Sequence, residues 1–299
     1  MDSKTRILTT FRGFNAYEKL IALNIAIFAI VAVFSAVYHM FTKDYVSFFY
    51  DYLALPKDLG ELLVKPWTIV TYAFMHGGFF HLIFNCIGLY FTGRIFYMFF
   101  TEKQFITVYV YGIFAGALAF LLAYNLLPAF AGDRATLMGA SAAVLAVTAA
   151  GATYAPNLIV NLFGVFPIKY WVLAILLVIS YIASIPYDNA GGHFAHLGGL
   201  LIGYIFVKQL QKGNDIGIGF ERFWDRLNAF FTTKKKSPLK TVYKKEEKKR
   251  STTTKSSAST PSSEKQQKID AILDKISKSG YESLTKAEKD FLFKAGKDN

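Results

Sequence analysis

One cysteine in 299 residues, Cys86, excludes an intramolecular disulfide. It lies inside an apolar run and reads as a small packing residue. Charge is scarce as well: Asp, Glu, Lys and Arg make up 18% of the chain, against about 25% in a soluble domain. The scarcity is uneven. Residues 1–207 hold 11 Lys/Arg and 9 Asp/Glu, whereas residues 208–299 hold 22 and 12. A composition 53% hydrophobic also excludes a disordered chain, a collagen-like chain and a small secreted scaffold. What is left is a polytopic membrane protein with a basic, polar appendage.

Six apolar runs are present, at about residues 20–38, 81–100, 104–127, 137–154, 169–185 and 193–207. Most approach the roughly 20 residues needed to cross about 30 Å of hydrocarbon as helix. The first follows Lys4, Arg6, Arg12 and Lys19. It is too long for a signal-peptide core and lacks a small-x-small cleavage site, so it reads as an uncleaved first transmembrane helix. Residues 42–66 read as an interfacial loop, with Asp44, Asp51, Asp58 and Glu61 among Phe48, Phe49, Tyr50 and Tyr52. Residues 157–167 read as interfacial too. An even number of spans puts both termini on one side, and the basic segments at both ends assign that side to the cytoplasm.

The tail has its own pattern. Residues 234–250 carry nine Lys/Arg against two Glu, which suits a topology anchor and tether or attraction to anionic lipid heads. Residues 251–263 are mostly Ser, Thr, Ala, Lys and Pro, a flexible linker. Ile269, Ile272, Leu273 and Ile276 then share one helix face, ending before Gly280. Thr285 and Glu288 form a T-x-x-E capping box ahead of a second short helix. So small a segment buries little apolar surface alone, so docking on a protein partner, another copy or the membrane domain is expected. The tail has no nucleic-acid readout motif. The expected organisation is a cytoplasmic segment (1–16), a six-helix membrane domain (17–208), a basic, Ser/Thr-rich linker (209–264) and a helical segment (265–299). The fold class is all-α.

A bilayer penalises buried polar groups, so those inside the apolar runs carry the information. His76, His81 and Asn85 stand at the head of the second run, with His81 and Asn85 on one helix face. Ser141 follows Gly139 in the fourth. His193 and His196 open the sixth, where Ala195, Gly199 and Gly203 are spaced by four, a seam that suits close helix packing. That packing would bring Ser141 to His196, and a serine beside a neutral imidazole is an activated nucleophile. The N–H groups of His81, Asn85 and the Ser141 backbone would face an oxyanion. Asp133 and Asp188 lie at span ends and no carboxylate lies deep in a span, so any catalysis uses a Ser–His dyad. No H-E-x-x-H is present for a zinc protease, and no pair of embedded carboxylates for an aspartyl protease. A transporter predicts two related halves, and no internal repeat is visible.

H-x4-H-x3-N at His76, His81 and Asn85, G-x-S at Gly139 and Ser141, and A-H-x2-G-x3-G from Ala195 to Gly203 together resemble the rhomboid intramembrane serine proteases. The resemblance covers about residues 17–208. It implies Ser141 as nucleophile, His196 as general base, His81 and Asn85 as the oxyanion-stabilising pair, and Gly139, Gly199, Gly203 and His76 as structural at the site. It implies a six-helix rhomboid-like bundle, no cofactor and no metal, and single transmembrane segments as substrates. A bacterial inner (plasma) membrane is the expected location. His193 has no counterpart in the motifs. Three positions depart from the family pattern: Ala142 stands for a glycine, Leu145 for an aromatic that stacks on the histidine, and Thr68 for the arginine of a Trp-Arg pair. A catalytically inactive scaffold that binds transmembrane clients is the alternative.

Overall fold

Helix α1 (Ala16–Thr42) starts where the Asn15 N–H donates to the Glu18 carboxylate at 2.8 Å, and it stops at Lys43 in the left-handed region. In this computed structural model the described residues are 13–43, 48–162, 165–231 and 261–297. They divide into two units, residues 1–235 and 236–299. The expected N-terminal segment and the basic run at 234–250 lie largely or wholly outside the described residues.

After α1 come three short helices, α2 (Phe48–Leu53), α3 (Leu59–Val64) and α4 (Thr68–Thr71). The stretch expected to be an irregular loop is thus largely helical turns. Aromatic exposure persists there, with Phe48, Tyr52 and Trp67 all on the surface. Five apolar helices follow: α5 (Phe79–Phe96), α6 (Glu102–Leu126), α7 (Ser141–Tyr154), α8 (Tyr170–Ser184) and α9 (Ala190–Gln211). Helices α1, α5, α6 and α9 are long and apolar enough to cross a membrane. The α7 and α8 helices are shorter, at 14 and 15 residues, or about 21 and 22 Å.

The expected helix from residue 137 begins four residues later. Leu137 pairs antiparallel with Leu55, and Thr136 with Pro56, forming strands β1 (Leu55–Pro56) and β2 (Thr136–Leu137). Gly139 then takes φ +118, a conformation L side chains rarely adopt. The helix therefore starts only at Ser141. Strands β3 (Ile159–Leu162) and β4 (Phe166–Lys169) form a second antiparallel pair, so the fold is mainly rather than wholly helical.

Helix α6 runs through the core. A Thr101–Gln104 capping box starts it, and Phe105, Val108, Tyr109, Ile113, Ala117 and Phe120 are buried along it. Tyr72 Oη donates to the Ile113 carbonyl at 2.7 Å, tying the turn before α5 to the core. Gly112 and Gly116 pack on α7, since a Cβ on Gly112 would lie 2.7 Å from Ala143 Cα. Across α7, a Cβ on Gly199 or Gly203 of α9 would run into the carbonyl of Ala142 or Ala146. Small residues on three helices thus let backbones touch.

One further helix, α10 (Ile218–Phe231), lies in the stretch expected to be linker. Lys103 and Asp225 pair at 2.7 Å, and Tyr111 Oη donates to the Ile216 carbonyl at 2.9 Å, holding its start against α6. In the second unit, α11 (Pro261–Ser279) ends before Gly280, which has φ +76, and α12 (Lys286–Lys297) follows. The Thr285 N–H donates to Glu288 at 2.8 Å, Glu288 N–H donates back at 3.4 Å, and Lys275 reaches the same carboxylate at 2.9 Å. Ile272 and Leu284 are buried in this unit.

Candidate active site

The left-handed turn at Gly139 sets up the site. It is fixed by the Gly139 N–H donating to the Tyr72 carbonyl at 2.9 Å. Ser141 is then the first residue of α7, where backbone N–H groups have no intrahelical partner and the helix end is electropositive. The close Gly199–Ala142 and Gly203–Ala146 contacts bring α9 against α7. As a result Ser141 Oγ and His196 Nε2 lie 2.7 Å apart. With the Nδ1–H tautomer, Ser141 donates to Nε2, the arrangement in which the imidazole can take its proton.

His81 stands on the other side of Gly139. A Cβ at Gly139 would lie 2.7 Å from His81 Nε2 and 3.7 Å from Ser141 Oγ. Absence of a side chain there is what leaves room for the His81 ring beside Ser141. Asn85, one turn on, is buried, and one N–H of its amide donates to the His81 carbonyl at 2.8 Å. The amide has a second N–H, and Asn85 lines the same cavity as Ser141, His196 and His81. His76 is buried with its ring 5.2 Å from that of His81. It backs His81 rather than lining the cavity.

The cavity measures about 360 Å³ and lies between α5 and α8, over α7. Phe84, Gly88, Val144, Leu173 and Leu177 give it mostly apolar walls around the polar end. That is the character of a site for an apolar segment with a polar reacting centre.

Two further groups meet His196. The His193 ring is 6.0 Å away, and His193 pairs with exposed Asp188 at 3.6 Å. Asp188 therefore reaches the histidine that has no motif counterpart. His196 Nδ1 is buried and, among the described residues, without a hydrogen-bond partner. The second group is Tyr181 of α8, whose ring centroid is 4.4 Å from that of His196 at an interplanar angle of 54°. The family pattern implies an aromatic at position 145, where this chain has Leu145, and no motif in the sequence marks Tyr181. Its sole mark is being the one aromatic among the aliphatic residues that end α8.

Comparison with known proteins gives two family matches and one curated relative. Residues 64–212 match the family model described as Rhomboid domain. Residues 262–294 match a family of unknown function, DUF6576. The chain is similar to the RHOMBOID-like protein 12, mitochondrial, of Arabidopsis thaliana: 29% identical over 157 residues, 49% of this chain and 47% of that protein. It thus spans about half the length of that curated relative.

Proposed function

Because the chain belongs to the rhomboid family and is an integral membrane protein with four candidate spans among the described residues, we propose that it is an intramembrane serine endopeptidase. The 2.7 Å approach of Ser141 Oγ to His196 Nε2 carries the reading. Ser141 Oγ attacks the scissile carbonyl carbon while His196 Nε2 takes the hydroxyl proton. The carbonyl oxygen becomes an oxyanion facing the Ser141 backbone N–H, the free Asn85 N–H and His81. Collapse breaks the C–N bond, and His196 passes its proton to the leaving amine. Water, deprotonated by the same imidazole, then attacks the acyl-enzyme and frees the new carboxyl end. The chemistry needs no cofactor or metal.

The apolar cavity walls favour a single transmembrane segment as substrate. A helical peptide bond is hydrogen-bonded and shielded, so cleavage falls where small residues let the helix unwind. Helices α7 and α8 join the four longer ones as six spans, with both termini cytoplasmic, in a bacterial inner membrane. The membrane domain covers residues 17–208, and the basic stretch after it meets membrane lipids. The helical segment at 265–299 docks on a protein partner or another copy.

Full-length protein in proteoliposomes, offered single-span substrates with an Ala-Gly or Ser-Gly break, tests the reading. Products cut within or beside the span are expected, and none with Ser141→Ala. Intact substrate with folded wild-type protein, beside an active rhomboid that cuts it, would overturn proteolysis in favour of a client-binding scaffold.

A further inference from the structure

His196 lacks the support a catalytic imidazole usually has. Its Nδ1 meets no acceptor among the described residues, and the exposed Asp188 carboxylate lies 3.6 Å from the neighbouring His193 ring. A ring so placed can turn about its side-chain torsions and lose the Oγ contact. What restricts it is a face. Tyr181 closes one side of the imidazole at 4.4 Å and reaches the His193 ring at 5.8 Å.

Position 145 explains why the ring comes from α8. Leu145 and Tyr181 pack together in one small cluster with Ala149, Leu177, Val178 and Leu200, and both line the cavity. An aromatic at 145 would compete with Tyr181 for this space. The shorter leucine leaves it open.

We propose that Tyr181 is the positioning residue for His196 in this protein, supplying from α8 the aromatic face that residue 145 does not. The inference rests on the proteolytic reading of the site. Two effects follow from this tilted ring contact. The ring holds Nε2 toward Ser141 before attack. Its ring centre also lies within the distance at which an aromatic attracts a cation, so it favours the imidazolium formed as Ser141 is deprotonated. Both act on the chemical step, over and above any contact Tyr181 makes with substrate as part of the cavity wall. The ring acts only while α8 is seated against α9.

Four full-length variants read this out: Tyr181→Leu, Tyr181→Phe, Leu145→Tyr and the double exchange Leu145→Tyr/Tyr181→Leu. Each is measured for kcat and KM on a single-span substrate, for its rate of labelling by a fluorophosphonate, and for thermal midpoint. Tyr181→Leu should lower kcat and the labelling rate together by roughly 10- to 100-fold, the range for a misplaced catalytic group, well beyond any change in KM. Tyr181→Phe keeps the face and should stay within about threefold of wild type. The double exchange moves the ring to the other wall and should recover most of the lost kcat, a non-additivity expected only of residues that share one role. Unchanged kcat and labelling in Tyr181→Leu, or a loss that tracks the thermal midpoint with no recovery in the exchange, would overturn the inference. Wild-type protein that neither cuts nor labels would overturn the proposed function, and this inference with it. Cutting by wild type but not by Ser141→Ala keeps the two outcomes apart.

Discussion

Helices α7 and α8 are almost equal in length, 14 and 15 residues, and opposite in surroundings. In α7 every residue from Ala142 to Ala152 is buried. In α8 only Tyr170 is, while Ile175, Leu176, Ile179 and Ile182 are about half exposed. Composition explains the contrast. The α7 helix is Ala- and Gly-rich, too thin to offer lipid much contact but thin enough to be gripped by glycines of α6 and α9. The α8 helix is apolar nearly all round, the pattern of a helix at home in lipid. Ser141 therefore stands at the start of a helix buried along nearly its whole length, while one wall of its cavity belongs to a helix that is mostly exposed. Precision and access are separated by sequence.

The sharpest break removes the chemistry from the rigid side. Ser141→Ala and His196→Ala should each cut turnover by at least about a thousandfold, with the thermal midpoint in detergent close to wild type. A variant that melts much earlier would mean these side chains hold the fold. Next comes the seam. A valine at Gly199 would drive its Cβ into the Ala142 carbonyl, and a loss of about 4 kcal/mol or more is expected of such overpacking. Ile179→Val on α8 should stay within about 0.5 kcal/mol. Equal losses in reversible unfolding would erase the contrast between the helices.

Removing an oxyanion donor should cost less. Asn85→Ala is expected to lower kcat roughly 10- to 100-fold with little change in KM. A change in KM alone would assign Asn85 to substrate binding instead. The smallest effect lies outside both helices. The Lys275 ammonium and then the Thr285 N–H and hydroxyl hold the Glu288 carboxyl down to about 2. Its folded pKa is below the unfolded value of about 4.3. Its support is therefore full above that value and lost as pH falls toward 2. Lowering pH from 7 to 5 should leave amide exchange at residues 285–292 unchanged after correction for intrinsic rates. Glu288→Gln should speed it at both pH values, with cleavage unaffected.

How much of this was legible in the sequence depends on the range of the interaction. Six apolar runs and the i, i+4 pairing of His81 with Asn85 follow from local periodicity, and so does the Thr285–Glu288 cap. Gly-x-Ser could be read as a motif. That Gly139 would take a positive φ and delay the helix to Ser141 could not, because the Leu55–Leu137 pairing that extends the chain joins residues far apart. The α10 helix was hidden by its neighbours: Phe220, Phe223, Trp224 and Leu227 repeat on one face, but they sit in a tail whose charge reads as linker. The Tyr181 contact was least legible of all. Aromatic packing leaves no polar mark in an apolar run, and the residue that faces His196 lies on a helix with no motif.

Whether Ser141 is an activated nucleophile is the claim on which the rest stands. Detergent-purified protein treated with a fluorophosphonate, then digested for mass spectrometry, tests it without knowing the substrate. The account predicts a phosphonyl adduct on Ser141 in wild type and none in either Ser141→Ala or His196→Ala. A folded wild-type protein that stays unlabelled beside a labelled active rhomboid, or an adduct on Ser141 that persists without His196, would contradict it.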